Sequence, residues 1–144
     1  MSDSIPIEDK RESWEGPIPL PNGVTEEFWA GTVDGEFRLQ HCGDCGEAQF
    51  YPRVVCKHCG SMDLDWEPAS GDGTVHSYIV NHIPGEEGFG EFAPYVVAIV
   101  ELEEGPHLTA MMPVDGDDVE IGTAVEARFW QISDDTAMPV FVPA

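Results

Sequence analysis

All four cysteines of this 144-residue chain stand in two Cys-x-x-Cys pairs with ten residues between the pairs. They are Cys42, Cys45, Cys56 and Cys59. Each pair predicts a knuckle, a tight turn that directs two thiolates at one point, and Gly46 and Gly60 supply the backbone freedom such turns need. Two knuckles provide the four sulfur ligands that tetrahedral zinc prefers, at Zn–S distances of ~2.3 Å. The spacing therefore predicts a zinc ribbon.

Three other uses of the cysteines compete with zinc. A redox dithiol usually comes as one Cys-x-x-Cys near a βαβ pattern, and neither pair lies in such a pattern. An iron site of rubredoxin type has the same four ligands and stays open, as do disulfides or free thiols. Because a closed four-sulfur site leaves no position for water, we expect the metal to be structural rather than catalytic.

The charge balance limits the partners and the compartment. The sequence has 28 acidic and 6 basic residues, for a net charge of −22. Concentrated salt screens such self-repulsion, so we expect the cytoplasm of a salt-accumulating organism, although a merely acidic protein remains open. Nucleic-acid phosphates are bound by clustered lysine and arginine, so with only 6 basic residues we expect no nucleic-acid partner. We find no signal peptide and no apolar run of the ~20 residues that span a membrane, and expect no membrane partner.

The order of sequence patterns predicts a mainly β protein in three parts. Residues 1–24 form an extended or disordered arm, because prolines interrupt a mostly charged stretch. Residues 25–70 contain a short helix and a rubredoxin-like zinc ribbon, whose small core requires metal to fold. Residues 71–144 form five short strands with a long first loop, the pattern of an OB-fold barrel. The predicted strands cover 74–83, 95–102, 107–114, 124–132 and 140–142.

No catalytic residues are predicted, because no nucleophile, acid or base stands in a recognisable constellation. The five histidines are scattered through the sequence. Among them, His76 and His82 are six residues apart and should lie on the same side of one strand. A solvated strand face explains this pair as well as a site does. We therefore expect a chain that performs no reaction on its own.

Basic and aromatic residues supply the remaining candidates. Half of the positive charges, Arg38, Arg53 and Lys57, fall in or beside the ribbon. They either balance a dianionic zinc–tetrathiolate centre or bind a phosphorylated ligand such as coenzyme A. Large aromatic side chains occur in the short helix and in the glycine-rich loop 84–94, and they pack either on this chain's own barrel or on a partner. These aromatic residues are Phe28, Trp29, Phe89 and Phe92.

Several of these motifs, in the same order, resemble a family of zinc-ribbon plus OB-fold proteins found with acyl-CoA enzymes and long catalogued as a domain of unknown function. The resemblance extends over about residues 25–143 and leaves the arm uncovered. It is carried by Phe28-Trp29, the segment 38–46, the segment 49–53, Cys56 to Ser61, Gly71 to Tyr78, Pro94 to Ala98, Ile121-Gly122 and Pro139 to Phe141.

The resemblance implies a non-catalytic accessory subunit of an acyl-CoA-processing complex. The expected partner is a thiolase, either an acetoacetyl-CoA thiolase or a β-ketothiolase, in some cases with HMG-CoA synthase beside it. Alternative partners are MaoC-like hydratases and lipid-transfer-type aldolases. Coenzyme A or its esters would be shared with that partner. From the residues alone, a nucleic-acid-binding ribbon and a free-standing iron electron carrier remain the alternatives from other classes.

Overall fold

The computed structural model describes residues 5–16, 18–82 and 94–144, which form two β-sheets and one α-helix. The helix α1 spans Glu26–Val33, and a short 3₁₀ turn spans Gly116–Asp118. The strands are β1 (Ile7–Asp9), β2 (Phe37–Cys42), β3 (Ala48–Gln49), β4 (Leu64–Ala69), β5 (Asp72–Asn81), β6 (Tyr95–Leu102), β7 (His107–Met112), β8 (Ala124–Gln131) and β9 (Ala137–Pro143). The predicted mainly β composition with one short helix is confirmed.

Five of these strands close into a barrel. Neighbours pair in the order β8-β5-β6-β7-β9, and an additional β8–β9 pairing completes the ring. All of the pairs are antiparallel except β7–β9, which is parallel. This is the Greek-key closure of an OB-fold, so the predicted five-stranded barrel is confirmed. The last strand is longer than the predicted 140–142, because it pairs with β8 from Ala137 to Pro143.

The second sheet is the ribbon, with β2 in the centre between β3 and β4. Strand β2 pairs with β4 along its whole length, from Phe37 opposite Ala69 to Cys42 opposite Leu64. The contact with β3 is shorter, two residue pairs only. The end of β2 that carries Cys42 therefore leads into the first cysteine pair, while the end that carries Phe37 is turned toward the barrel.

Phe37 joins the helix, the ribbon and the barrel. Its ring centroid lies 5.8 Å from that of Phe28 on α1 and 6.2 Å from that of Phe50 in the ribbon. On the barrel side it lies 6.1 Å from Phe129 and 6.4 Å from Phe141. Phe37 is fully buried, and the residues around it belong to one continuous apolar cluster. Ribbon and barrel consequently share a core.

The first residues of the chain lie on the barrel. Strand β1 runs parallel to β8, with Ile7 opposite Phe129. Ile5 is buried and donates its backbone N–H to the Gly35 carbonyl at 2.8 Å, and Trp14 packs edge-on against Trp130. The sequence predicts an extended or disordered arm. The described part is extended and lies on this chain's own surface, where Ile5 and Trp14 find apolar contacts.

Candidate metal centre

Two knuckles of matching geometry present the four cysteines. In the first, the Gly46 N–H donates to the Cys42 carbonyl at 2.9 Å; in the second, the Gly60 N–H donates to the Cys56 carbonyl at 2.8 Å. Both glycines have a positive φ, +80° and +82°. A side chain at either position would be strained, because L-residues rarely adopt this conformation. The predicted knuckle turns are therefore present.

The four sulfur atoms form a cluster of the right size for zinc. The Sγ atoms of Cys42 and Cys59 are 3.6 Å apart, and so are those of Cys45 and Cys56. A tetrahedron with Zn–S bonds of ~2.3 Å has edges of ~3.8 Å. All four cysteines are free, and a separation of 3.6 Å is far from the ~2.05 Å of a disulfide bond. The donor set fits a tetrathiolate metal site.

Backbone amides prepare this cluster for negative charge. The Cys45 N–H points at Cys42 Sγ, 3.4 Å away, and the His58 N–H points at Cys56 Sγ, 3.3 Å away. The hydrogen bond from Cys45 lowers the pKa of the Cys42 thiol to about 7. At Cys45, the Glu47 amide lowers the pKa, but desolvation and the neighbouring thiols outweigh it and raise the pKa to about 12. One thiolate forms readily, whereas four need a bound cation to offset their repulsion.

A buried pair of glutamines fixes the second knuckle to the first. Gln49 donates from Nε2 to Gln40 Oε1 at 2.7 Å and to the Val55 carbonyl at 3.3 Å, and its Oε1 accepts the Lys57 N–H at 2.9 Å. Gln40 in turn holds the Arg53 backbone, donating to its carbonyl at 2.8 Å and accepting its N–H at 2.9 Å. The two side chains thus hold the segment from Arg53 to Lys57, which contains Cys56.

Sequence reasoning assigned no role to these two glutamines. Gln40 and Gln49 occurred in the family motifs, but an amide side chain in a ribbon strand is usually read as solvent-facing. The available signal was position: Gln40 follows the buried Leu39, and Gln49 stands beside the apolar Ala48 and Phe50. In the structure Gln40 is 5% exposed and Gln49 is 1% exposed.

Arg38 is separated from the other two ribbon cations. Its guanidinium binds Glu27 at 2.6 Å and Glu36 at 2.8 Å, with Asp34 at 3.6 Å. It stands four residues before Cys42 on β2, which corresponds to ~13 Å along a strand. Arg38 is therefore neutralised beside the helix. That it balances the zinc charge or binds coenzyme A stays a prediction, and its donors already face three carboxylates.

Arg53 and Lys57 both lie in the segment before and within the second knuckle, and both side chains are exposed. Within residues 5–16, 18–82 and 94–144, neither forms an ion pair, whereas Lys10, Arg11 and Arg128 are each paired with a carboxylate. The structure thus brings Arg53 and Lys57 into one loop and leaves Arg38 outside it.

The aromatic residues predicted as partner contacts divide into two groups. Phe28 and Trp29 are only 1% and 7% exposed, because both pack into this chain's own core. This differs from the predicted contact with a partner and agrees with the alternative of packing on the chain's own barrel. Phe89 and Phe92 lie outside the described residues.

An apolar groove of about 430 Å³ runs between the ribbon and the barrel. One wall comes from α1 and the ribbon, including Trp29, Phe50 and Tyr51, and the other comes from the barrel, including Val97 and Met111. Beyond the groove, the ribbon exposes further large apolar side chains. They are Val54, Val55 and Met62. Exposed apolar surface of this kind is typical of interaction sites.

Comparison with known proteins identifies the family. A model described as the rubredoxin-like zinc ribbon domain of ChsH2 matches residues 29–65, and one described as the C-terminal OB-fold domain of ChsH2 matches residues 66–130. The chain belongs to the ChsH2 family. These matches confirm the resemblance drawn from the sequence, and the ribbon description supports zinc at the four cysteines.

Three relatives illustrate where ChsH2-type chains occur. A Thermomonospora curvata protein named "Probable enoyl-CoA hydratase alpha subunit" is 41% identical over 129 residues, 89% of this chain and 40% of that protein. A "DUF35 domain-containing scaffold protein" of Methanothermobacter thermautotrophicus is 42% identical over 96 residues, 65% of this chain and 71% of that protein. A chain of the solved structure "Ltp2-ChsH2(DUF35) aldolase" is 35% identical, with a TM-score of 0.76, covering 88% of this chain and 98% of that one.

The extent of these matches differs between relatives. The chain spans about two fifths of the length of the hydratase relative but nearly all of the matched chain in the aldolase structure. In the described part of the chain, no helix is both long enough and apolar enough to cross a bilayer.

Proposed function

We propose that this chain is a non-catalytic scaffold subunit of an acyl-CoA-processing complex, and that its catalytic partner is a hydratase or an aldolase. The single observation that carries the proposal is the match to a chain of a ChsH2-containing aldolase structure, 98% of which is covered by this chain. The name of the Thermomonospora relative supports the hydratase alternative. The thiolase and HMG-CoA synthase expected from the sequence are not named among these relatives, and they become alternative outcomes of the test.

The structure offers a surface suited to such a partner. The ribbon exposes Tyr51, Val54 and Val55 on the segment that the two buried glutamines hold in place. The groove adjoins this segment through Tyr51. A rigid apolar surface loses little conformational entropy on binding, which favours a lasting contact. We propose that this ribbon segment contacts the catalytic subunit.

The same segment supports a role in binding coenzyme A. Arg53 and Lys57 are cations without an ion-pair partner in the described residues of a chain with net charge −22. In such a chain a carboxylate partner would be easy to find, so two unpaired cations in one loop favour an external anion. We propose that Arg53 and Lys57 bind phosphate groups of an acyl-CoA shared with the partner.

The net charge also bears on the compartment in which the protein works. We propose that the protein works in a salt-rich cytoplasm, because a net charge of −22 favours a medium in which salt screens repulsion between carboxylates. A Debye length of ~3 Å at 1 M salt leaves only close ion pairs effective. The contact with the partner should then depend on apolar surface more than on charge.

The test of partnership is purification of the tagged chain from its natural host at the salt concentration of that host. We expect it to co-elute in a fixed ratio with an enzyme that acts on acyl-CoA, identified by mass spectrometry. A hydratase or aldolase would support the partner named above, and a thiolase would support the sequence prediction instead. Elution as a lone chain, or together with nucleic acid, would overturn the scaffold proposal.

Coenzyme A binding is tested on the purified complex. Replacing Arg53 and Lys57 together with glutamine should raise the Kd for acyl-CoA by about 100-fold or more, since hydrogen bonds to charged groups contribute ~1.5–3 kcal/mol each. Arg11→Gln is the matched control, because Arg11 is exposed and already paired with Asp9 and Asp134. Equal affinities in all three proteins would exclude the ribbon cations from the ligand site.

A further inference from the structure

Three side chains with metal-binding atoms meet on the outer surface of the barrel. They are His76 on β5, Glu101 on β6 and His107 on β7, and all three are exposed. Each offers one ligand atom, and these three atoms lie within 4.8 Å of one another. Within the group, His107 Nε2 is 3.7 Å from Glu101 Oε2, and the two imidazole centroids are 4.7 Å apart.

Strand register and one irregularity bring these residues together. Glu101 stands directly opposite His107 in the β6–β7 pairing. On the other side of β6, the register shifts between Val75 and Ser77, and His76 is the residue left without a partner. Such a bulge gives one strand an extra residue and re-aims its side chain. The bulge therefore places His76 beside the cross-strand pair of Glu101 and His107, which adds a third ligand to the two that the pair supplies.

An ordinary surface pairing does not account for all three residues. A contact between a carboxylate and an imidazole explains Glu101 and His107. It does not explain a second imidazole in contact with the first, with the two ring planes tilted by 43°. The sequence has no lysine or arginine between Lys57 and Arg128, so no basic side chain from this stretch competes for Glu101.

The donor set and spacing match those of a divalent transition metal. Two imidazole nitrogens and one carboxylate oxygen suit zinc, copper, nickel, cobalt and iron ions rather than magnesium or calcium. In a tetrahedral zinc site with bonds of ~2.0–2.2 Å, donor atoms lie ~3.4 Å apart. The 3.7 Å between His107 and Glu101 is within a few tenths of an ångström of that value. Exposed side chains can close this gap by small rotations.

We propose that His76, Glu101 and His107 form a second metal site, which binds a late first-row divalent ion with water in the remaining positions. Its nitrogen and oxygen donors distinguish it from the four-sulfur site of the ribbon. It lies on the same outer sheet face as the barrel wall of the groove, since Val97 and Glu101 are an even number of residues apart on β6. Four residues along a strand correspond to ~13 Å.

The test is a titration of the zinc-loaded protein with Co²⁺ at about pH 7.5, roughly one unit above the ordinary pKa of imidazole. About 1 M NaCl suppresses weak binding to scattered carboxylates. We expect one equivalent of Co²⁺ to bind, to broaden the NMR signals of both imidazoles, and to produce no thiolate charge-transfer absorption. Thiolate charge-transfer absorption with no additional Co²⁺ bound would mean that Co²⁺ only replaces zinc in the ribbon, and this would overturn the proposal. Binding of many weak equivalents of Co²⁺ would also overturn it.

Three variants locate the ion. His107→Gln and Glu101→Gln should each raise the Kd for Co²⁺ at least about 10-fold, since even outer partners of a metal contribute about that much. His82→Gln is the matched control, because His82 is also exposed but lies beyond the end of β5. The fold of each variant is checked from its backbone amide spectrum. Unchanged affinity in His107→Gln, or an equal loss in His82→Gln, would refute the assignment.

Discussion

The buried Gln49 side chain provides a sharp test of how the ribbon is held together. Replacing it with leucine keeps the approximate volume but removes every hydrogen bond of the amide. Those bonds reach Gln40 at 2.7 Å, the Lys57 N–H at 2.9 Å and the Val55 carbonyl at 3.3 Å. Gln40 keeps its two bonds to the Arg53 backbone, so the loss falls mainly on the two backbone groups at 55 and 57.

The magnitude follows from those two groups. A buried polar group without a partner costs ~1–3 kcal/mol. Val55 and Lys57 are on the surface, so water can reach part of their backbone and the lower end of the range applies. We therefore expect Gln49→Leu to lower the free energy of unfolding by ~2–3 kcal/mol. The second knuckle would lose its support, so zinc affinity should fall about 10- to 100-fold, the usual effect of removing an outer partner.

Two measurements check this expectation: denaturant unfolding of the zinc-loaded protein, and competition for zinc with a coloured chelator. Gln131→Leu is the matched control, because Gln131 is half-buried on β8 and its side chain donates a single hydrogen bond, to the Ser133 carbonyl at 3.2 Å. The reasoning is wrong if Gln49→Leu stays within about 0.5 kcal/mol of the parent with unchanged zinc affinity. It is also wrong if the control loses as much.

Three further predictions concern the core, the metal and the charge. Phe37→Ala should destabilise the protein by ~3–5 kcal/mol in equilibrium unfolding, with the exposed Leu20→Ala as a near-neutral control; a smaller loss than ~1 kcal/mol would contradict a core shared by ribbon and barrel. Removing zinc with a chelator should abolish amide-exchange protection in residues 42–61 and preserve it in residues 95–102. Loss of protection in both would contradict the expectation that the metal supports the ribbon alone. Raising NaCl from ~0.1 to ~1 M should raise Tm by at least about 4 °C through screening, and an equal rise in an uncharged osmolyte would contradict that cause.

Local patterns were enough to predict the parts of the structure in which neighbouring residues act together. The knuckle turns depend on residues within five positions of each other, with glycine where the backbone requires a positive φ. The barrel strands likewise show as short apolar or alternating runs between turn residues. For this reason the predicted strands 95–102 and 124–132 agree with the observed ones to within a residue.

The parts that escaped prediction depend on contacts between distant residues. The Gln40 side chain binds the backbone 13 positions later, and the Gln49 side chain binds a backbone N–H eight positions later. No local sequence pattern predicts hydrogen bonds over such separations. The cluster of His76 with Glu101 and His107 depends on strand pairing and on a bulge in that pairing. Sequence spacing relates His76 to His82 along one strand, whereas the neighbours of His76 in the structure lie on strands β6 and β7.

The metal centre also determines the groove, although it is not part of it. Phe50 and Tyr51 follow β3, and their rings contact Phe28, with centroid separations of 5.3 and 6.5 Å. Residues 51–57 are held on one side by Gln40 and Gln49 and end on the other in the knuckle that carries Cys56. Without the metal, repulsion between the thiolates would open the knuckle, and Tyr51 would lose its fixed position in the groove wall. In the proposed complex, zinc removal should therefore weaken contact with the catalytic subunit.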